Sequence, residues 1–269
     1  MKGFKIIYSL INSIYKDRYL LANLSLQDFK RRFAGSYLGA LWGVLNPLLT
    51  MTVYWMVIEF GFRSGDADGF PFLLWFASGI CVWLFFSEGF SLASNSFLDY
   101  SYLVKKVVFN INILPLVKIF SSMLTHFFFV VLVAILCVVF GYYPSIYWIQ
   151  LPYYMVCTIC LLFGISLCFA SVMVFFRDLS QIISIILLIG MWGTPIAWNI
   201  SMFPEKVQLI LKANPMFYLV QGYRDCFLYQ TWFWEHGRLT LYFWCVVLGM
   251  ALLGGFIYNK LKSSFADFL

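Results

Sequence analysis

Few side chains here could make or break bonds, and their placement argues against it. The two histidines, His126 and His236, fall in different segments, so they build no local metal cluster. Seven cysteines (81, 137, 157, 160, 168, 226 and 245) lie mostly inside apolar runs. Cys157 and Cys160 form a C-x-x-C, but without a second pair the reading as buried small hydrophobes prevails over metal or redox work. No G-x-x-x-x-G-K-[ST] loop occurs, so this chain does not hold ATP in that manner, and G-x-S-x-G and H-E-x-x-H are also missing. Glu59 and Glu88 fall near the ends of apolar runs, where water is reachable, and are the two carboxylates to watch. His126 reads as a hydrogen-bonded packing residue. Catalysis finds no support, and the chain is not expected to be an enzyme.

Composition says what positions these residues. Of 269 residues, 62% are hydrophobic and 11% charged, against about 25% charged in soluble domains. Too few polar side chains remain to cover a water-facing surface, so lipid must be the main solvent. The net charge of +6 is spread between apolar runs and does not point to nucleic acid. The first dozen residues, MKGFKIIYSLIN, lack a long apolar region and a cleavage site, so no signal peptide is expected.

Backbone groups in hydrocarbon must be satisfied within the chain, so spans are helices of about 20 residues. Charge-free stretches run over Tyr37–Ile58, Phe70–Ser87, Leu179–Pro204 and Leu239–Asn259. A fifth, Ile119–Phe176, is far too long for one span and divides at Gly141 and Pro144. Six spans follow, at about 37–60, 70–92, 117–140, 148–175, 180–200 and 239–259. They lie in one unit, 37–262, between a cytoplasmic N-terminal segment, 1–36, and a tail, 263–269. With the N-terminus inside, thirteen Lys and Arg face the cytoplasm and five (Arg63, Lys206, Lys212, Arg224, Arg238) face out. The fold class is an all-α membrane protein with both ends cytoplasmic.

The connectors carry further expectations. Residues 12–34 repeat Ile14, Leu20, Leu21, Leu24, Phe29 and Phe33 at helical intervals among charges, an amphipathic helix in the cytoplasmic interface. A lipid anchor and a docking surface both fit it. Gly35, Gly39 and Gly43 form a stripe at four-residue spacing that admits a helix or a bulky ligand. Pro47 should kink the first span. Asp178 or Ser180 is placed to cap the fifth helix. Residues 204–237 are too apolar for a solvated loop and too interrupted to cross. Pro204 and Pro215, with Asn214 as cap, start two short re-entrant helices on the external side before the last span.

Five segments in order resemble one known family. They are QDFKRRFAGSYLGALWGVLNPLL (27–49), PFLLWFASGICVWLFF (71–86), LVKKVVFNINILPL (103–116), FFRDLSQIISIILLIGMWGTPIAW (175–198) and ANPMFYLVQGYRDCFL (213–228). Together they look like type-2 ABC exporter permeases of polysaccharide (O antigen, capsule, teichoic acid), nearest to the O-antigen branch. At Asn110, Ile111 and Asn112 the chain departs from relatives, which carry a proline and charges there.

The resemblance implies a bacterial inner-membrane homodimer joined to two copies of a separate cytoplasmic ABC ATPase, which holds ATP and Mg; this chain itself carries no cofactor. It implies ATP-driven export of a lipid-linked glycan. Sugar hydroxyls lose water in hydrocarbon, so the passage needs polar groups and flat aromatic faces. The implied pathway residues are Tyr37, Trp42, Asn46, Tyr54, Trp55, Trp192, Thr194 and Trp198; ordinary aromatic belts are the competing reading of such rings. The implied ATPase contacts are Arg31, Arg32, Leu103, Lys105, Lys106, Phe109, Arg177 and Asp178. The implied external gate comprises Pro204, Asn214, Pro215, Tyr218 and Arg224. Rival readings are a permease for a small lipophilic drug or lipid, a membrane-embedded glycosyl- or acyltransferase, and an assembly factor.

Overall fold

The computed structural model describes residues 17–61, 68–104 and 111–269. Among these the architecture is helical. Helix α1, Arg18–Arg32, is followed by α2, Trp42–Met56, which a π-helical turn, Val57–Gly61, extends. Then come α3, Phe72–Ser94, two one-turn pieces α4, Ser96–Asp99, and α5, Ser101–Val104, and α6, Leu114–Val139. The second half holds α7, Leu151–Met173, α8, Leu179–Gly193, α9, Glu205–Lys212, α10, Pro215–Arg224, α11, Gly237–Leu261, and a terminal turn α12, Phe265–Phe268.

Five of these are long and apolar enough to cross a membrane: α2 with its π turn, α3, α6, α7 and α11. Helix α3 is the axle of the bundle: 78% of its apolar stretch is buried, against 17% for α2 and 22% for α11. It packs on α6, α7 and α10. The tightest pair is α7 with α11, where backbones meet at glycines. A Cβ on Gly164 would lie 2.9 Å from the Ala251 backbone nitrogen, and one on Gly254 would lie 2.5 Å from the Gly164 carbonyl oxygen. Small residues at such crossings let helices attract by close van der Waals contact where lipid removes the hydrophobic drive.

Pro115 and Pro152 stand in the first turns of α6 and α7, where the missing N–H costs nothing. Gly141, at φ +86°, ends α6 as expected, and the Tyr142 N–H reaches back to the Cys137 carbonyl at 2.8 Å.

Four expectations need correction. The fifth span does not run to residue 200: α8 stops at Gly193, and its 15 residues reach about 22 Å, short of a hydrocarbon core of about 30 Å. The glycine stripe is not a helical face, because Gly35 and Gly39 take φ +87° and +52° in the turn before α2. Only Gly43 sits in the helix, and the Phe33 ring fills the space beside it. Asp178 makes no capping bond, and the Ser180 hydroxyl donates to the Arg177 carbonyl instead. The interface helix, described from Arg18, turns Leu21, Ser25 and Asp28 into the bundle while Tyr19, Leu20 and Leu26 stay exposed. Its inward stripe thus mixes apolar Leu21 and Leu24 with polar Ser25 and Asp28. Residues 12–16 lie outside the described residues.

Because the α7–α11 crossing has no room, Gly164→Val should lower stability by about 1–3 kcal/mol. Detergent-titration unfolding in mixed micelles reads this, with Gly249→Val, in open space, as the unaffected control.

Candidate functional site

Helix α2 touches the bundle along one narrow edge, which leaves a groove of about 610 Å³ beside it. Arg32 and Phe33 close one end; Trp42, Gly43, Asn46, Pro47 and Thr50 of α2 form one wall; Leu84, Ser87 and Glu88 of α3 and Leu187 of α8 form the other. Pro47 has no N–H to offer the Gly43 carbonyl, so an acceptor is freed inside the groove. The Asn46 side chain is exposed, and the Thr50 hydroxyl turns back onto the Asn46 carbonyl at 2.9 Å. The groove therefore combines an indole face, polar groups and an ion pair with one apolar wall.

Of the expected pathway residues, Trp42 and Asn46 line this groove. Tyr37 is fully exposed before α2, and Trp192 is exposed on α8. Tyr54 and Trp55 pack against the core. Thr194 is buried and donates to the Gly190 carbonyl at 2.8 Å, away from the groove. Trp198 folds over the end of α8, donating to the Trp192 carbonyl at 3.1 Å.

Where α1 meets α3 and α6, the charged residues form one connected network. Arg32 pairs with Glu88 and donates to the Ser121 hydroxyl at 2.7 Å. Lys118, 7% exposed, bridges Asp28 and Asp99 at 2.8 Å each, and the Tyr100 hydroxyl donates to Asp28 at 2.8 Å. Burial alone would raise the Asp28 pKa, but the Lys118 ammonium and the Tyr100 hydroxyl outweigh it and hold the carboxyl below its ordinary value. Arg32 thus faces inward, a correction to its expected place on a docking surface, whereas Arg31, Arg177 and Asp178 are exposed. Leu103 is half-buried. Lys105, Lys106 and Phe109 lie outside the described residues. Sequence reading noted Glu88 but missed its partner, and it missed Asp28, Asp99 and Lys118 as a set, because their meeting depends on how α1 lies against α6.

At the other end, α9 lies on the surface without a buried residue and α10 is inserted into the bundle. Asn214 caps α10 as expected, accepting from the Met216 N–H at 3.0 Å, with Pro215 in the first turn. Pro204 is exposed at the start of α9. Tyr218 is buried, bonded to the Tyr153 and Thr240 hydroxyls, and Gly222 lies against the Tyr154 ring. Arg224, 3% exposed, lies 3.4 Å from the centre of the Trp75 ring and donates to the carbonyls of Pro195 and Ile196. Both are packed inside the bundle, as helices that dip back into it require.

His126 is buried between Cys81 and the Tyr223 hydroxyl, 2.7 Å from the latter, and stacks on Phe85, as a packing residue should.

The fold and groove can be set beside known proteins. Residues 19–228 match the model of the ABC-2 type transporter family. The chain belongs to that family. Its relatives include an O-antigen export system permease protein RfbA of Klebsiella pneumoniae, 30% identical over 93% of this chain and 95% of the relative. A second protein of that name from the same organism is 28% identical over the same shares. One from Myxococcus xanthus is 28% identical over 81% of this chain and 84% of its own length. Such family members are membrane transport subunits, in keeping with the missing phosphate loop and the long apolar helices.

Removing one partner of the buried network leaves the other charge stranded. Lys118→Met should therefore cost about 3–5 kcal/mol, and Asp28→Asn in the same chain should recover part of it. The same micelle unfolding assay measures both. With its folded pKa depressed, Asp28 contributes fully above its unfolded value of about 3.9. That contribution is lost as pH falls through the folded value, so Asp28→Asn should flatten the acid limb of a stability–pH curve.

Proposed function

We propose that this chain is the transmembrane subunit of an ATP-driven exporter that carries a lipid-linked polysaccharide, such as O antigen, across the bacterial inner membrane. The observation that carries this reading is the likeness, over nearly the whole chain, to relatives named O-antigen export permeases. The groove supports it on physical grounds. A glycan leaving water needs hydrogen-bonding groups and flat rings that tolerate changes of register, and Trp42, Asn46, Thr50 and the freed Gly43 carbonyl offer both.

In this reading two copies face each other across α2 and α8. Both helices expose most of their length, and both carry outward polar groups: Asn46 and Thr50 on α2, Gln181 and Ser184 on α8. Polar groups facing bulk lipid would be unfavourable, whereas a passage between copies would hydrate them. The lipid anchor stays in the bilayer beside the groove while the glycan threads between the protomers. The excess of Lys and Arg on one set of connectors supports placing both ends in the cytoplasm. The exposed Arg177–Asp178 connector and the outer side of α1 then face two separate ATPase subunits, which hold ATP and Mg. Nucleotide-driven closure of those subunits would move α1, and with it the Asp28–Lys118 and Arg32–Glu88 pairs that tie α1 to α3 and α6.

The test is complementation. In a strain lacking its own O-antigen permease, this chain co-expressed with a cognate ABC ATPase subunit should restore surface polysaccharide. An ATPase whose phosphate-loop lysine is replaced should not. ATPase stimulation by lipophilic drugs without any surface glycan would overturn the reading in favour of a drug permease.

A further inference from the structure

Helix α8 is fastened very unevenly. Along its length only Ile183 and Met191 are buried, Leu187 is half-buried against the core, and Gly190 lies close against the Trp83 ring of α3. At its outer end the contacts are of another kind. The chain breaks at Thr194, and the carbonyls of Pro195 and Ile196, left without helical donors, are both taken by the Arg224 guanidinium at 2.9 Å. The same guanidinium donates to the Trp75 carbonyl at 3.3 Å and lies over the Trp75 ring. Four residues on from Trp75, Gly79 leaves room for it: a Cβ there would lie 2.9 Å from the Arg224 nitrogen. A second tie runs from the Asn214 amide to the Thr194 hydroxyl at 2.8 Å. Trp75 and Gly79 belong to α3, the most buried helix, so these bonds attach the end of α8 to the part of the molecule least able to move.

We propose that Arg224 and Asn214 are positioning residues that make the outer end of α8 a fixed pivot. The groove then widens by a swing of the cytoplasmic end of α8, beside the exposed Arg177–Asp178 connector. A guanidinium suits this role because its planar fork serves two adjacent carbonyls while its face rests on an indole. Lysine, a point charge, cannot do both. The pivot rests on the export reading for its use, but the attachment is a property of the chain alone.

Two measurements decide it. In the first, the variant Thr194→Cys/Asn214→Cys is linked by a short thiol reagent, with the parental chain treated alike. Export should match that of the same variant unlinked, within about twofold. A link between Leu84→Cys and Leu187→Cys across the groove should abolish export until reductant is added. Arrest by the outer link, or indifference to the groove link, would overturn the pivot. Absence of export by the parental chain with its ATPase would instead count against the export reading.

The second measurement needs no transport. In the purified full-length chain in nanodiscs, Arg224→Gln should speed amide exchange over 194–203 by at least tenfold, about 1.4 kcal/mol. Arg224→Lys should restore only part of the protection, and exchange in α6 should stay unchanged. Unchanged exchange over 194–203, or equal acceleration everywhere, would overturn the pivot whatever the export result.

Discussion

Lipid offers no hydrogen bonds, so each backbone group that leaves a helix inside this bundle must find a protein partner, and the structure is arranged around the places where helices stop. The clearest is the end of α8. An apolar stretch long enough to cross becomes a 15-residue helix followed by an irregular turn, a breach that water would normally fill. Here the donors to the freed carbonyls come from Arg224 and the Trp198 indole, while the Asn214 amide holds the Thr194 hydroxyl. Helix α10 has to enter the bundle for Arg224 to reach the carbonyls. The re-entrant segment and the shortened span are therefore two sides of one requirement.

The end of the bundle that holds α1 solves a different difficulty. Lys118 and Asp28 are both nearly inaccessible, and each would be costly alone. Joined with Asp99, Tyr100, Arg32 and Glu88, they give α1 a polar seam against α6 and α3, where a hydrophobic stripe would have slid into lipid as easily as onto protein. Such a seam fixes orientation more than it adds stability, a useful quality in an element proposed to carry force from an ATPase. The groove opens directly above it, with Arg32 and Glu88 in its floor.

Much of this was legible in the sequence, for identifiable reasons. Charge-free runs marked the spans because hydrocarbon excludes Lys, Arg, Asp and Glu strongly. Gly141 and the Asn214–Pro215 pair marked an end and a start because their backbone preferences are local. The errors have a common origin. Residues 194–199 carry no charge, so a charge-free run extended the fifth span through a break that Arg224, distant in sequence, stabilises. Gly35 and Gly39 kept a helical spacing but serve a turn, since spacing does not report the sign of φ. Arg32 looked like part of a docking surface because Glu88, its partner, stands 56 positions away. Of the aromatic side chains expected along a pathway, Tyr54 and Trp55 pack on the core while Tyr37, Trp42 and Trp192 are exposed, a division that depends on tertiary packing and that ring content alone does not report.

With two copies facing each other across α2 and α8 as proposed, the outward polar groups of these helices border water rather than lipid. Single cysteines at Asn46, Thr50 and Ser184, and at the lipid-facing positions Val131 and Leu252, can be challenged with a membrane-impermeant maleimide in the assembled transporter. Labelling at the first three well above the background of the parental cysteines, with none at the last two, is the result the account predicts. Equal resistance at all five positions would contradict it.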